Sequence, residues 1–367
     1  MHKYGILEDA GIHLVWFDSL GAKSSCIAIE TSKGYILIDP GAAAMQPSYP
    51  LDSGTKRRLR RNAVEKIRKY ASRSKVIIIT HYHYDHHLKL SDQDLEGDNI
   101  YEGKTLYVKN PNTYINESQW KRARIFYEEL SSRYGINIEL FLTRPLQRKF
   151  RDPVETLKYI HMRDYGNYEK RRQELLVKGR QWFRKLVNLW SSNPWIKDNI
   201  TINNTRILWG EGRTFTLNGV NVKICNPWFH GIEYDRTGWV LPVFIQSRGY
   251  RVVYTSDLMG PIIEDYAYHI IDYNPDIIIL DGPPTYLFPY MFNKVNLERA
   301  IDNAIKLIDN KPEAIIYDHH LLRDPLWRKR VKKVLEYAKK NNVLLLTAAE
   351  VLGKKPLIDT LTNKTRQ

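Results

Sequence analysis

The sequence predicts an α/β fold split by a helical insertion. Short β-branched runs bounded by turns fill the chain up to Tyr107, and similar runs alternate with helix-period segments after Ile207. Between them, Asn110 to Arg206 carries long helical patterns and few strand signals. With 367 residues, 43% of them hydrophobic, the chain has material for one large domain or two ordinary ones around a packed core, which excludes the disordered and fibrous classes.

Taken in order, the strand-like runs are Ile12 to Phe17, Ser25 to Glu30 and Tyr35 to Ile38, the last followed by the turn Asp39-Pro40-Gly41. Lys56 to Tyr70 is basic and amphipathic and reads as a helix. Val76 to Ile79 is all β-branched, as strands buried on both faces are, and Thr105 to Lys109 is the last strand of this half. In the middle stretch Pro153 suits a first helical turn, and Val154, Leu157, Ile160, Leu175, Trp182, Phe183, Leu186, Val187 and Trp190 recur at helical spacing until Pro194. Strands return at Ile207 to Trp209, Val220 to Cys225, Trp239 to Gln246, Arg251 to Thr255, Ile277 to Leu280, Ala314 to Tyr317 and Val343 to Leu346. Helices are expected over Leu297 to Ile308 and Leu326 to Lys340. The expected division is a first half over 1–109, a basic, aromatic-rich helical insertion over 110–206 and a second half over 207–367.

No apolar run approaches the roughly 18 residues that span a bilayer, and Met1 to Leu14 has no basic-then-apolar leader. A cytoplasmic protein without a membrane partner is expected. Cys26 and Cys225 are too few for a disulfide framework or a thiolate cage, and each lies in an apolar run, so both read as buried free thiols. Lys and Arg number 56 against 41 Asp and Glu, a formal net charge of +15, which points to an anionic partner such as nucleic acid, a phosphorylated molecule or a membrane surface.

The segment Thr80 to His87 reads THYHYDHH directly after the buried strand. His81, His83, Asp85, His86 and His87 at the end of a strand are hard to explain by packing, because imidazoles and carboxylates are costly to bury unpaired. A metal-ligand cluster explains them. Neutral imidazole and carboxylate suit zinc and similar divalent ions, and His-x-His on an extended segment points both rings the same way. Asp85 and His86 follow in a tight turn, so their side chains can diverge toward a second metal.

This segment resembles the HxHxDH motif of the metallo-β-lactamase superfamily, and companion motifs follow in order: Asp39 in IDPG, His230 in NPWFHG, Asp257 in YTSD and His319 or His320 in YDHH. The phrases THYHYDHH, LDGPPTY and YDHHLLRD together are similar to an uncharacterised archaeal family of predicted hydrolases in that superfamily. The likeness covers about 1–107 and 207–350 and leaves out the insertion. It implies a four-layer αββα sandwich with two divalent metal ions, zinc first and manganese or iron as alternatives. One metal would be held by His81, His83 and His230 and the other by Asp85, His86 and His319, with His320 as the alternative and Asp257 shared. Asp39 would orient the ligand loop. Asp281, after the strand Ile277 to Leu280, reads as a supporting partner, a substrate contact or a turn residue, and His87 as an outer hydrogen bonder or a loop residue. His2, His13, His161 and His269 have no clustered partners and read as structural or surface residues.

Two ions about 3.5 to 4 Å apart would share a water whose pKa falls toward about 7. The implied reaction is attack of metal-bound hydroxide on a carbonyl or phosphoryl centre, with Asp85 and Asp257 as the catalytic carboxylates. No nucleophile elbow, P-loop or dinucleotide fingerprint competes with this reading. From Lys104 to Arg206 there are 21 Lys and Arg against 10 Asp and Glu, interleaved with Trp120, Tyr127, Tyr159, Tyr165, Tyr168, Trp182, Trp190 and Trp195. Such a mixture can contact phosphates and stack on bases. A second basic run, Lys56, Arg57, Arg58, Arg60 and Arg61, is expected at the substrate mouth. A phosphodiesterase or nuclease on RNA or DNA is therefore expected first. A hydrolase of a small ester, lactone, thioester or phosphorylated metabolite, with the insertion as its lid, is second, and a noncatalytic nucleic-acid-binding protein third.

Overall fold

A computed structural model describes residues 5–362, so the reading of His2 falls outside the described residues. After the short helix α1 (Ile6–Asp9) come strands β1 (Ile12–Phe17), β2 (Ser25–Thr31) and β3 (Gly34–Ile38), helix α2 (Ser53–Ala71), and strands β4 (Ser74–Ile79) and β5 (Thr105–Val108). The middle of the chain holds α3 (Glu117–Ser132), a ribbon of β6 (Leu142–Thr143) with β7 (Trp195–Ile196), and α4 (Glu169–Ser192). Strands β8 (Ile200–Ile202) and β9 (Thr205–Trp209) then rejoin the first sheet, whose order is β1-β2-β3-β4-β5-β9-β8. Its centre, from β3 to β9, is parallel.

A second seven-stranded sheet follows. It contains β10 (Thr214–Leu217), β11 (Val220–Ile224), β14 (Val243–Ser247), β15 (Tyr250–Tyr254), β16 (Ile277–Asp281), β17 (Ala314–Asp318) and β18 (Leu344–Leu346), with the hairpin β12 (Trp228–Phe229) and β13 (Trp239–Val240) looping out between β11 and β14. Its helices are α5 (Glu264–Tyr273), α6 (Lys294–Asp309), α7 (Trp327–Arg330) and α8 (Lys332–Lys340).

Period-two alternation assembles these sheets into layers. Ile36, Ile38, Val76 and Ile78 of the first sheet and Val222, Val243, Val252, Ile277 and Ile279 of the second belong to one buried cluster between the sheets. The intervening Leu37, Ile77 and Ile79, like Val253, Ile278 and Ile315, belong instead to the cluster shared with α2, α5 and α6. The result is helix, sheet, sheet, helix, the αββα sandwich. Among the described residues no helix is long and apolar enough to cross a membrane. Cys26 and Cys225 are buried and free.

Several elements differ from expectation for identifiable reasons. Pro153 opens only a short turn, Pro153–Thr156, and α4 begins at Glu169. Between them the Asp265 carboxylate accepts the N–H groups of Lys158, Tyr159 and Ile160, which satisfies those donors without a helix. The strand expected over Trp239 to Gln246 breaks at Pro242, which has no N–H for a ladder; β13 pairs with β12, and β14 with β11 and β15. Leu326 to Lys340 divides at Val331 into α7 and α8. The insertion's aromatics pack inward, partly against the rest of the molecule: Tyr127, Tyr165, Trp190 and Trp195 are buried, Trp182 stacks parallel on Trp239 at 5.7 Å, and Tyr159 stacks on Tyr268 at 3.9 Å. Helix α4 thus lies on the β12–β13 hairpin. It approaches so closely at Gly179 that a Cβ there would sit 2.3 Å from the Tyr234 ring.

Candidate metal centre

The loops that follow β3, β4, β12, β15 and β17 and the end of β16 converge at one edge of the sandwich and deliver Asp39, Thr80 to His87, His230, Asp257, His319 and Asp281. Left-handed backbone recurs here, at Asp39 (φ 50°), Ser256 (φ 51°), Met259 (φ 54°) and His319 (φ 61°). Such strain in non-glycine residues concentrates where geometry serves chemistry.

Asp257 lies at the centre, and each of its oxygens faces a different set of donors. Oδ2 is 3.4 Å from His81 Nε2 and 3.1 Å from His230 Nε2; Oδ1 is 3.0 Å from His86 Nε2 and 3.2 Å from His319 Nε2. His81, His83, His230 and Asp257 offer donor atoms within 4.8 Å of one another, and so do Asp85, His86 and His319. Both Asp257 oxygens, His86 Nε2 and both ring nitrogens of His230 are buried without a hydrogen-bond partner. Native interiors rarely leave polar atoms in that condition, and here five of them belong to one converging group. Nitrogen and carboxylate donors in two groups that share a two-sided carboxylate fit a pair of divalent cations.

The supporting hydrogen bonds fix which atoms face inward. Asp39 accepts from Thr80 N–H (2.7 Å), Thr80 Oγ1 (2.6 Å) and Tyr254 OH (2.7 Å) and lies 2.9 Å from His86 Nδ1, so Nε2 of that ring points to Asp257. Burial is the largest influence on His86 and lowers its pKa, but Asp257 and Asp39 together outweigh it and push the imidazole up to about 10. Burial and then His86 bring His81 down to about 4. Asp257 is held well below the usual carboxylate range: burial raises it, but His86, His319 and His81 prevail.

At the last motif the two histidines take different partners, although Asp257, His319 and His320 also offer donor atoms within 4.8 Å of one another. His319 Nδ1 is 2.8 Å from Asp18 Oδ1, while its Nε2 faces Asp257 and lies 4.0 Å from Asp85. His320 turns its Nδ1 to Asp281, at 3.0 Å. Asp281 also accepts from Met259 N–H at 2.8 Å, so it braces the loop that carries Asp257 as well as His320. Burial, above all, raises Asp281 to about 7. His87 is buried rather than exposed on the loop; its Nδ1 is 3.0 Å from the His83 carbonyl and its ring packs on Tyr82, Tyr84 and Phe126.

The basic run on α2 is placed differently from expectation. Lys56 is buried and donates to the Gln46 and Pro47 carbonyls at 2.9 Å each, and Arg60 is locked to Asp92 and Asp94. A buried cation needs such partners, so these two brace neighbouring loops. Arg57, Arg58 and Arg61 are exposed, and among the described residues none of the five pairs with a metal-ligand candidate.

Three residues of this region escape sequence reasoning. Asp18 accepts from Ser24 N–H (2.9 Å) and from Arg323 Nε (2.6 Å) as well as orienting His319. Arg323 reaches Asp85. Gln119, wholly buried on α3 of the insertion, accepts from Tyr82 N–H at 3.1 Å and donates to the Thr237 carbonyl at 2.6 Å, and Thr237 Oγ1 donates to the His230 carbonyl at 2.7 Å. One amide thus joins the loop of His81 and His83 to the hairpin of His230. The only sequence signal for it is the N-cap Asn116, three residues earlier, whose Oδ1 accepts from Gln119 N–H at 2.7 Å.

The family model of the metallo-beta-lactamase superfamily matches residues 21–88. A UPF0282 protein of Methanopyrus kandleri is 30% identical over 92% of this chain and 92% of its own, and one of Korarchaeum cryptofilum is 28% identical over 92% of this chain and 87% of its own. Among solved structures, a metallo-beta-lactamase of Cronobacter sakazakii aligns with 97% of this chain and 92% of its own at 11% identity and a TM-score of 0.32.

Proposed function

Because the chain belongs to the UPF0282 family of the metallo-β-lactamase superfamily, we propose that it is a dinuclear metal-dependent hydrolase whose substrates are the phosphodiesters of RNA or DNA. The observation that carries the hydrolase reading is Asp257, with one oxygen turned to each donor group. Two cations held there, zinc by the donor set and manganese or iron as alternatives, supply Lewis acidity and an activated water. The chain's own residues hold and aim them: His81, His83 and His230 on one side, Asp85, His86 and His319 on the other, with Asp39 and Asp18 fixing the rings of His86 and His319.

The diester reading is supported by charge placement. A groove of about 800 Å³ runs between residues 149–155 and α4, and Lys149, Arg151, Arg180 and Arg184 line it against Asp152 and Glu155. Half-buried Phe150 supplies aromatic surface in the same groove, whereas Phe183 is buried. A cationic groove of this kind follows a nucleic-acid backbone. The second reading, a small-ester or thioester hydrolase with the insertion as lid, draws on the inward packing of most insertion aromatics, which leaves few stacking faces.

The test is direct. Zinc- or manganese-loaded protein is incubated with single-stranded RNA, single-stranded DNA, bis-nitrophenyl phosphate and a panel of lactones and thioesters. Cleavage of the diesters, with slower RNA cleavage and a shallower salt dependence in K149E/R184E, is expected. Turnover confined to the lactones or thioesters overturns the diester reading and leaves the hydrolase.

A further inference from the structure

On the Asp85 flank of the centre lie two cations that the ligand geometry does not use. Arg323, on the turn that follows His319, is buried, yet its guanidinium is only partly engaged. Nε donates to Asp18 at 2.6 Å and Nη2 to Asp85 at 3.2 Å, with Nη2 also 3.4 Å from His319 Nε2, and Nη1 has no partner among the described residues. Lys23 stands next to Ser24, whose carbonyl is 3.2 Å from His319 Nδ1. Its side chain is half-buried, within electrostatic reach of Arg323, Asp85 and Asp18, and has no hydrogen bond or ion pair among the described residues. Burial first, and then Arg323, lowers the pKa of Lys23.

Charge balance makes this pairing informative. Asp18 is already shared by Ser24, His319 and Arg323. Asp85 is a donor of the second group, so its charge is committed to a dication in the loaded protein. Of the two carboxylates within electrostatic reach of both Lys23 and Arg323, only Asp18 then remains to balance them. Like charges so placed repel strongly at low dielectric, and an anion bound among them removes the conflict.

We propose that Lys23 and Arg323 form an oxyanion shelf that receives a non-bridging phosphoryl oxygen of the substrate on the Asp85 side of the centre. The inference rests on the hydrolase reading above and deepens it: the substrate's anionic group is recognised by the protein as well as by the cations. Arg323 offers a planar fork and Lys23 a mobile point charge, a combination suited to a tetrahedral oxyanion.

The probe is inorganic phosphate, titrated calorimetrically into the zinc-loaded full chain, with zinc content measured in the same samples. K23A is expected to keep the wild-type zinc content and to bind phosphate about tenfold more weakly, as loss of one charge-assisted contact entails. K23R is expected to restore most of that affinity. Equal phosphate affinity in wild type and K23A overturns the shelf, whatever the substrate of the enzyme proves to be. Acetate weakened by K23A as much as phosphate also overturns it, since the site would then answer to any anion. The diester reading fails separately, when Lys23-dependent phosphate binding is found in a protein that cleaves no diester.

Discussion

At the scale of single residues, the two-sided carboxylate of Asp257 makes cation content a sharp readout. Asp257→Ala removes a donor from both groups and should lower the content of both cations, whereas His83→Ala should empty one group and spare the other; metal analysis after chelator dialysis distinguishes them. The two adjacent histidines should part company in the same assay. His319→Ala is expected to lose one cation and His320→Ala to keep both, because only His319 faces Asp85 and is fixed by Asp18. Gln119→Ala should weaken cation binding at the His81 group by about 10- to 100-fold, as loss of an outer partner does, in a protein whose circular dichroism is unchanged. Gln119→Glu keeps the acceptor for Tyr82 and loses the donor to Thr237, so chelator competition should place it between Gln119→Ala and wild type. The donors were legible in the sequence because histidine and aspartate crowd into THYHYDHH and follow strand after strand. Gln119, Asp18 and Arg323 were not, because each acts on a group far along the chain: Asp18 and His319 are separated by 301 positions, and no local pattern marks such a pair.

At the scale of elements, burial decided what could be read. Strands β4, β16 and β17 are β-branched runs buried at nearly every position, and the sequence places them to within a residue or two. The edge strands β8 and β10 are short and partly exposed, so they leave little hydrophobic signal. Residues 157–160 look helical by spacing because Leu157 and Ile160 are buried, but the backbone there is satisfied by Asp265 from α5, a tertiary contact that periodicity cannot show. Gly179 gives an element-level test of the contact between α4 and the hairpin of His230. In a free helix Gly→Ala is stabilising by roughly 1 kcal/mol, yet here the methyl would meet the Tyr234 ring at 2.3 Å. Gly179→Ala should therefore lower the melting temperature, and a rise would show that α4 is not pressed against Tyr234.

At the scale of the whole molecule, a buried ionic cluster ties the insertion to the second sheet. Arg299 of α6 bonds Glu233 of the hairpin loop and Glu264 of α5, and Arg172 of α4 reaches Glu233 at 3.4 Å. Burial is the largest influence on Glu233 and raises its pKa, but Arg299 overrides it and holds the carboxyl at about 2 against an ordinary 4.5. The unfolded chain takes up a proton there between pH 4.5 and 2 while the folded chain does not, so the stabilisation is complete above pH 4.5 and is lost as pH falls through 2. Urea unfolding of metal-free protein should show wild type exceeding Glu233→Gln by a few kcal/mol at pH 6 and by progressively less at pH 4 and 3. The donors of the two cation groups are themselves spread from His81 to His319, on both sides of the insertion. On the ribosome they emerge in that order: His81, His83, His230 and Asp257 are all synthesised before β17, while the Asp85 and His86 side waits for His319. A nascent chain paused between those points carries every donor of one group and an incomplete other.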